Sequence, residues 1–491
     1  MRKRFDPQIG LGQTPIEKVI LPLKSRDELP PVLAGLQWIF KTPEVNREIF
    51  ELLEEKISGN KQDTGRPGMD LWHVLVLGVV RLGLGCDYDR IEHVANYDVL
   101  VRQIMGLPSF GGAEHFHHKT ISDNICHIDA EVLEKINAIV VRHGRETLKK
   151  NVASKEAEKL EVKTDSYVLE CNVHYPTDCN LLWDAARKCV ELLGELHEQL
   201  DLPGWRKGNY WKRQVKNAMR ACERAASGGG ANKAQRVLET ARRYLDIAYA
   251  LEEKINGCIG ELGALPASVL AIESLGRIGY FHDMLITHID LVERRLVQKE
   301  TIAHGEKVFS LFEPHTELIK KGKTMPPVEF GHRLLVSTEQ HGLVIDYKVM
   351  VGGSESAEIV PLADRLLGRF GEGSIASLST DKGFSSVGDR ELLELYIGEV
   401  VMPKKGRRSA ADSERESAKT WKNLKNRHSA VESDINCLEH HGLDRCPDKG
   451  LNGFKRYTGL GILAYNLHKI GAGLLAQAAA TGKRKRKKKA A

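Results

Sequence analysis

Three acidic residues stand where a divalent-metal active site could be assembled. Asp165 lies in Val162-Lys163-Thr164-Asp165-Ser166-Tyr167, Asp381 in Leu378-Ser379-Thr380-Asp381-Lys382-Gly383-Phe384, and Glu432 in Arg427-His428-Ser429-Ala430-Val431-Glu432-Ser433. The first two close short apolar runs with strand character, and the third falls in a stretch with helical character. Carboxylates on two strands and one helix can converge on hard cations such as Mg²⁺, which prefer oxygen ligands. A pair of such ions can activate water or a 3′-hydroxyl and stabilise the leaving oxygen in phosphodiester chemistry. A single Asp or Glu is ordinarily solvated surface charge, so the argument depends on the elements that bring the three together.

Those elements can be read in order. Thr42 predicts an N-cap, with Pro43 at the first helical position and Val45, Ile49, Leu52 and Leu53 on one face of a helix running to about residue 57. Further helices are predicted at 69–84, 88–105 and 120–141. From residue 161 the pattern turns to strand: Asp165 ends one run, and 167–173 could continue it. A long helical block follows. Val237, Ala241, Tyr244, Ala248, Leu251 and Ile255 alternate steps of four and three, a coiled-coil-like seam, and Leu285, Ile289, Val292 and Leu296 form a second stripe. This block reads as an antiparallel helical insertion with its best turn at Ser227-Gly228-Gly229-Gly230. Strands are predicted at 330–337 and 343–351, joined by a turn at Gln340-His341-Gly342. Then come a helix at 355–370, a strand at 374–380 ending at Asp381, a helix at 386–397, a strand at 399–402 and helices at 413–438 and 451–475. Strand with acid, hairpin, helix, strand with acid, helix, strand, helix with acid is the element order of an RNase H-like fold. In that fold the first and fourth strands are neighbours.

At 491 residues the chain should hold two to four domains. Hydrophobic residues make up 42% and charged residues 28%, as in ordinary soluble globular proteins. The net charge of +6 comes from the tail Lys483-Arg484-Lys485-Arg486-Lys487-Lys488-Lys489; the body is nearly neutral. Such a tail suits either attraction to DNA phosphates or a solubilising end, and no site depends on it. Nine cysteines without framework spacing fit a reducing compartment. No apolar run follows Met1-Arg2-Lys3-Arg4, and the apolar stretches at 71–84 and 459–480 carry internal charges or histidines. The expectation is a cytoplasmic protein with no membrane span.

Several segments together resemble those of bacterial insertion-sequence DDE transposases, most nearly the ISNCY-like subgroup. They are Thr164-Asp165-Ser166, His174-Tyr175-Pro176-Thr177-Asp178, Ser379-Thr380-Asp381-Lys382-Gly383-Phe384, Met402-Pro403-Lys404-Lys405-Gly406-Arg407, His428-Ser429-Ala430-Val431-Glu432-Ser433, and the closing stretch from Gly442-Leu443-Asp444-Arg445-Cys446 to Phe454-Lys455-Arg456-Tyr457. The likeness reaches back to Thr64-Gly65-Arg66-Pro67-Gly68-Met69. It implies that Asp165, Asp381 and Glu432 are a catalytic triad holding two Mg²⁺ ions, for which Mn²⁺ can substitute. It also implies cleavage and strand transfer of double-stranded DNA ends, with a homodimer in the synaptic complex. Related families carry a basic residue seven positions after the catalytic Glu; here Glu439 stands there, and Lys425 and Arg427 before the Glu could supply the charge instead.

The implied fold class is α/β. An RNase H-like core spans 160–178 and 306–440, with a helical insertion at 179–305. A helical DNA-binding or dimerisation domain occupies 1–150, C-terminal helices 441–480 and a basic tail 481–491. Rival first acids are Glu170, Asp178 and Asp184; Asp178 reads better as a helix N-cap. Glu439 rivals Glu432 from two turns away on the same face. Cys437, His440, His441 and Cys446 have zinc-ligand types but not the spacing, and His115-Phe116-His117-His118 reads as a polar loop. For DNA, Arg213, Lys216, Arg220 and Arg224 form a basic stripe on one helix face of the insertion, expected beside the active site. Trp205, Tyr210 and Trp211 precede it, and Trp205 and Trp211 are candidates to stack on bases. Lys404, Lys405, Arg407 and Arg408 form a basic loop; Gly65-Arg66-Pro67 resembles a minor-groove arm, with Arg66 its DNA contact, but reads better as a plain linker.

Overall fold

Leu160, Val162 and Thr164 alternate with Glu161, Lys163 and Asp165 in a strand, β1 (Leu160–Cys171), that organises the sheet. The structure, a computed structural model, describes residues 3–5, 10, 12–58, 68–109, 114–149, 158–200, 205, 207–263, 269–320 and 327–490. Six more strands are β2 (Glu317–Lys320), β3 (Val328–Thr338), β4 (Val344–Met350), β5 (Ile375–Thr380), β6 (Glu399–Val401) and β7 (Arg445–Cys446). Their order is β2-β3-β1-β5-β6, with β4 also paired to β3 and β7 to β1. β1 runs antiparallel to β3 and parallel to β5, and β5 runs parallel to β6. The chain is thus mixed α/β and mostly helical, with one mixed seven-stranded sheet. The predicted hairpin is β3–β4, and Gly342 at φ 75° supplies the left-handed turn residue between them. β2 and β7 are too short to leave an alternating pattern in the sequence.

The two faces of the sheet are covered differently. On one, Leu160, Val162, Leu335, Ile345, Ile375 and Leu378 pack with Ile359, Leu362, Ala363 and Leu366 of the helix Glu355–Phe370. Ser354 caps that helix, its side chain accepting from the N–H of Ala357. By strand alternation Lys163 and Asp165 point to the other face, where the helix Lys419–Leu438 lies against β1, β3, β5 and β6.

The helices before β1 differ from the sequence reading in where they break. The span 88–105 is two helices, Tyr88–Tyr97 and Val99–Ile104, because Asp98 stops the first and caps the second through the N–H of Val101. The span 120–141 is likewise His118–Ile125 and Ala130–Lys149, with Asp129 accepting from the N–H of Val132. The span 413–438 divides at Ala418 into Ala410–Ser417 and Lys419–Leu438. At Asp98 and Asp129 a polar cap outweighs apolar periodicity; the break at Ala418 has no side-chain cap. The helix Pro43–Ser58 starts where Thr42 predicted. Arg66 lies outside the described residues.

The chain divides into two compact units, Met1–Asn172 with Ile319–Ala491, and Val173–Leu318. The N-terminal helices, expected as a domain of their own, belong instead to the unit that holds the sheet, and so do the C-terminal ones. The helices Leu29–Lys41 and Gly450–Ala490 pass backbone against backbone: a Cβ at Gly471 would fall on the carbonyl oxygen of Pro31, and one at Gly35 on that of Leu467. The helix Leu71–Gly83 is buried along its whole length. Among the described residues no single helix is long and apolar enough to cross a membrane, although the bent pair Leu71–Gly83 and Tyr88–Tyr97 passes by length and composition.

The second unit is helical throughout most of its length: Asp178–Gln199, Gly208–Ser227, Lys233–Gly263 and Val269–Val292. Its core takes Ala241, Tyr244, Ala248, Leu251 and Ile255 from the predicted seam and Leu285, Ile289 and Val292 from the second stripe. The turn falls at 228–232, as the glycines indicated. Thr177, not Asp178, is the N-cap of the first helix, accepting from the N–H of Asn180; Asp178 pairs with Arg295 at 2.8 Å.

The glycine contact gives a stability test. Gly471→Ala should lower the unfolding free energy by about 1–3 kcal/mol, the usual cost of forcing atoms into a filled site. Gly368→Ala, in the same unit and with open space around its Cβ, should raise it by about 0.5–1 kcal/mol. Urea denaturation of both variants beside the parent measures this, and equal midpoints would contradict the close approach.

Candidate active site

The register of β1 on β5 sets the site. Val162 pairs with Leu378, Lys163 with Ser379 and Thr164 with Thr380. One step further puts Asp165 beside Asp381, on strands about 4.8 Å apart and on the same face. Asp381 follows β5 directly, as the sequence indicated, and is exposed. Asp165 does not end its strand: it sits mid-strand, half-buried, because β3 continues the pairing as far as Glu170.

Glu432 comes from the helix on that face. Val431, Ile435 and Leu438 bury the helix against the sheet while Glu432 stays exposed. Three contacts fix its height. Arg427 donates from one nitrogen to both carboxylate oxygens of Glu161 at 2.8 Å. Nδ1 of His428 meets Oγ of Ser379 at 3.1 Å. Asp434 accepts from the hydroxyl of Tyr465 at 2.7 Å and from Lys469 at 3.2 Å.

The acids interact electrostatically. The Asp165 carboxyl is pushed up to about 6, first by burial and then by the charges of Asp381, Glu355 and Glu432, against the lowering hydrogen bond from the Ser166 N–H. Neither Asp381 nor Glu432 has a hydrogen-bond or ion-pair partner among the described residues. Three carboxylates with so little neutralising charge suit a hard cation chemically. They do not, however, form a set whose oxygens all lie within 4.8 Å of one another, the closeness expected of ligands shut around one ion.

Two residues of the site carried no role in the sequence reading. Glu355 opens the helix over the opposite face, yet it accepts the Ser166 hydroxyl at 2.5 Å and lies 3.5 Å from Arg333. It is a fourth acid acting on Asp165, and only the folded hairpin that precedes it reveals its position. His428 stands four residues before Glu432, on the same helix face. Burial holds its ring below the ordinary histidine value, against the raising charges of Asp381 and Glu432. Its Nε2 is buried and without a hydrogen-bond partner. The four-residue spacing was visible in the sequence; the burial was not.

The rival acids lie elsewhere. Glu170 binds Arg445 at 2.6 Å, Asp184 binds His174 at 2.6 Å, and Glu439 acts on Tyr167. His441 is buried with Nδ1 3.0 Å from the Gly83 carbonyl, and Cys437 is exposed while Cys446 is buried.

The basic candidates fall into two groups. Arg213, Lys216, Arg220 and Arg224 are all exposed on the helix Gly208–Ser227 and make no ion pair among the described residues, with Lys216 5.7 Å from the Trp183 ring centre. Lys405 and Arg407 are exposed, and Lys425 lies 5.5 Å from the Trp421 ring. Lys404 is tied to Asp412 at 2.6 Å and Arg408 to Glu416 at 2.9 Å, as Arg427 is to Glu161. Trp205 does not present a stacking surface: it is a core residue with 7% exposure, walled by His197 and Lys254. Trp211 is partly buried against the same core, and Tyr210 is exposed.

Comparison with protein-family models, with curated proteins and with solved structures gives no match.

The raised Asp165 value fixes a pH dependence. The folded state holds this proton more tightly than the unfolded chain, so stability is lost as pH rises from about 4 to about 6. In EDTA, Asp165→Asn should therefore be more stable than the parent at pH 7, by about 1–3 kcal/mol. The gain should vanish near pH 4. Thermal unfolding at the two pH values measures it; a gain of the same size at both would mean that the carboxylate charge is not its cause.

Proposed function

We propose that the chain is a DDE-type transposase, cleaving and joining DNA ends with divalent metal on an RNase H-like core. The observation that carries this reading is the register of β1 on β5, which ends with Thr164 opposite Thr380 and so sets Asp165 and Asp381 one step further on the same face, with Glu432 on the helix over it. The succession β4-β3-β1-β5-β6 within the sheet, with β3 antiparallel to β4 and β1 while β1, β5 and β6 run parallel, supports the fold assignment.

Asp165 and Asp381 would hold a pair of Mg²⁺ ions, or Mn²⁺ in their place, with Glu432 completing the set. The chemistry that such ions supply when bound is an activated oxygen nucleophile and charge stabilisation at the departing 3′-oxygen. Glu355 steadies the β1 acid through Ser166 and sits beside the cation Arg333. His428, held at Nδ1 by Ser379, fixes the helix one turn before Glu432. Lys405, Arg407 and Lys425 are available to backbone phosphates, and the stripe on Gly208–Ser227 offers four more cations that make no ion pair among the described residues. Double-stranded DNA ends are the substrate, a homodimer would bring two of them together, and the cytoplasm is the compartment.

The test is cleavage and joining of a DNA fragment carrying the element's own flanking ends. Mg²⁺ should support nicking and joined products, EDTA neither. Asp381→Ala should lower both at least about 1000-fold, several kcal/mol of barrier. Nicking that survives Asp381→Ala overturns the triad; nicking without joining makes the protein a nuclease on the same scaffold. For the stripe, Arg213→Ala with Arg220→Ala should reduce the slope of log affinity against log salt by about 1.8, two phosphates at about 0.9 each. An unchanged slope removes the stripe from the DNA interface.

A further inference from the structure

Outside the acid cluster, two helices of the N-terminal segment bring a different set of ligands together. The helix Tyr88–Tyr97 carries Glu92. The helix His118–Ile125 starts directly after His117, which is its N-cap. The segment 115–118, read from sequence as a polar loop, instead buries Phe116 and opens a helix. Ligand atoms of Glu92, His117 and His118 all lie within 4.8 Å of one another.

We propose that Glu92, His117 and His118 form a binding site for a divalent transition ion of the zinc type.

Three observations support it. The first is spacing. Tetrahedral ligands about 2.0–2.1 Å from zinc lie about 3.3 Å apart. Nδ1 of His118 is 2.9 Å from Oε2 of Glu92 and 3.7 Å from Oδ1 of Asp89, one turn earlier on the same helix. These separations bracket the required value, so an ion can take the place of the shared proton with small shifts, and binding competes with that proton. Asp89 or water would fill the fourth position.

The second is preorganisation. Glu92 also accepts the backbone N–H of His118 at 2.6 Å. One turn on, Asn96 holds Phe116 at both ends: Nδ2 donates to the Phe116 carbonyl at 2.8 Å, and Oδ1 accepts the Phe116 N–H at 2.9 Å. The backbone that carries the two histidines is therefore fixed to the helix that carries the carboxylate. The third is freedom where it is needed. The His117 ring is exposed and lies 4.1 Å from the His118 ring, centre to centre. Its only cap bond, from the Lys119 N–H, is long at 3.3 Å, so turning the ring onto an ion costs little.

Two imidazoles with a carboxylate prefer Zn²⁺, Co²⁺ or Ni²⁺ to Mg²⁺. The site is therefore selective against the ion proposed for the acid cluster and does not depend on that proposal. A bound ion would lock Tyr88–Tyr97 to His118–Ile125.

The experiment is equilibrium dialysis of the EDTA-stripped full chain against Zn²⁺ at micromolar free metal. Bound zinc is measured in the parent, His117→Ala, Glu92→Gln and Asp381→Ala. The parent should bind one equivalent more than His117→Ala. Glu92→Gln should weaken that equivalent at least about tenfold, and Asp381→Ala should keep it. Co²⁺ at the site should show d–d bands without sulfur-to-metal charge transfer, which separates it from the nine cysteines. Circular dichroism of His117→Ala, a change at an exposed ring, verifies folding. Equal zinc in parent, His117→Ala and Glu92→Gln, or none in the parent, overturns the site. Loss of the equivalent in Asp381→Ala also overturns it, since the zinc would then belong to the acid cluster.

Discussion

The in-register parallel pairing of β1 with β5 is the constraint around which the rest is arranged. It sets two aspartates side by side, and no amount of apolar packing removes their repulsion. The neighbouring charges are neutralised locally: Glu161 by Arg427, Glu170 by Arg445, and Lys163 between the charges of Glu339 and Asp434. The Asp381 and Glu432 carboxylates are left without a hydrogen-bond or ion-pair partner among the described residues. One face of the sheet is a continuous apolar contact with Glu355–Phe370, which contributes stability. The other concentrates like charge, which opposes it. Such a division is what a site for an added cation requires, because uncompensated carboxylates are tolerated only where the opposite face offsets their cost.

The position of Glu432 is determined at a distance. Its helix is tied at one end to β1 by Arg427 and to β5 by His428, and at the other to Gly450–Ala490 by Asp434. That last helix is in turn locked against Leu29–Lys41 at glycines where no side chain fits. A sequence of rigid contacts therefore runs from the first long helix of the chain to the third acid. The N-terminal helices are part of the scaffold of the site rather than an attachment to it.

Much of this was legible in the sequence. The Asp165, Asp381 and Glu432 elements, the hairpin and the insertion turn follow from apolar periodicity and glycines, which are local signals. What the sequence concealed was non-local or capped. Glu355 joins the acids only because β4, paired to β3, brings the chain back to Ser166 of β1. The helix breaks at Asp98 and Asp129 came from single side-chain caps that periodicity overlooks. Trp205 read as a surface ring because its neighbours are basic, whereas the folded unit needed a large apolar residue there. Lys404 and Arg408 looked free until Asp412 and Glu416, on the helix that follows, closed on them.

The insertion has a further consequence, for synthesis. Val173–Leu318 is one contiguous piece and can form as soon as it leaves the ribosome. β1 precedes it and must wait for β3 and β5; the wait for β5 spans roughly 200 residues, about 10–40 s at ordinary translation rates. Until β3 emerges this twelve-residue strand has two open edges, and until β5 emerges it has one, the condition under which chains join their neighbours edge to edge. The polar residues Glu161, Lys163, Asp165 and Glu170 along β1 put charge on a strand that would otherwise be an apolar template. Asp165 thus adds its charge to a strand edge that is open while the chain is unfinished.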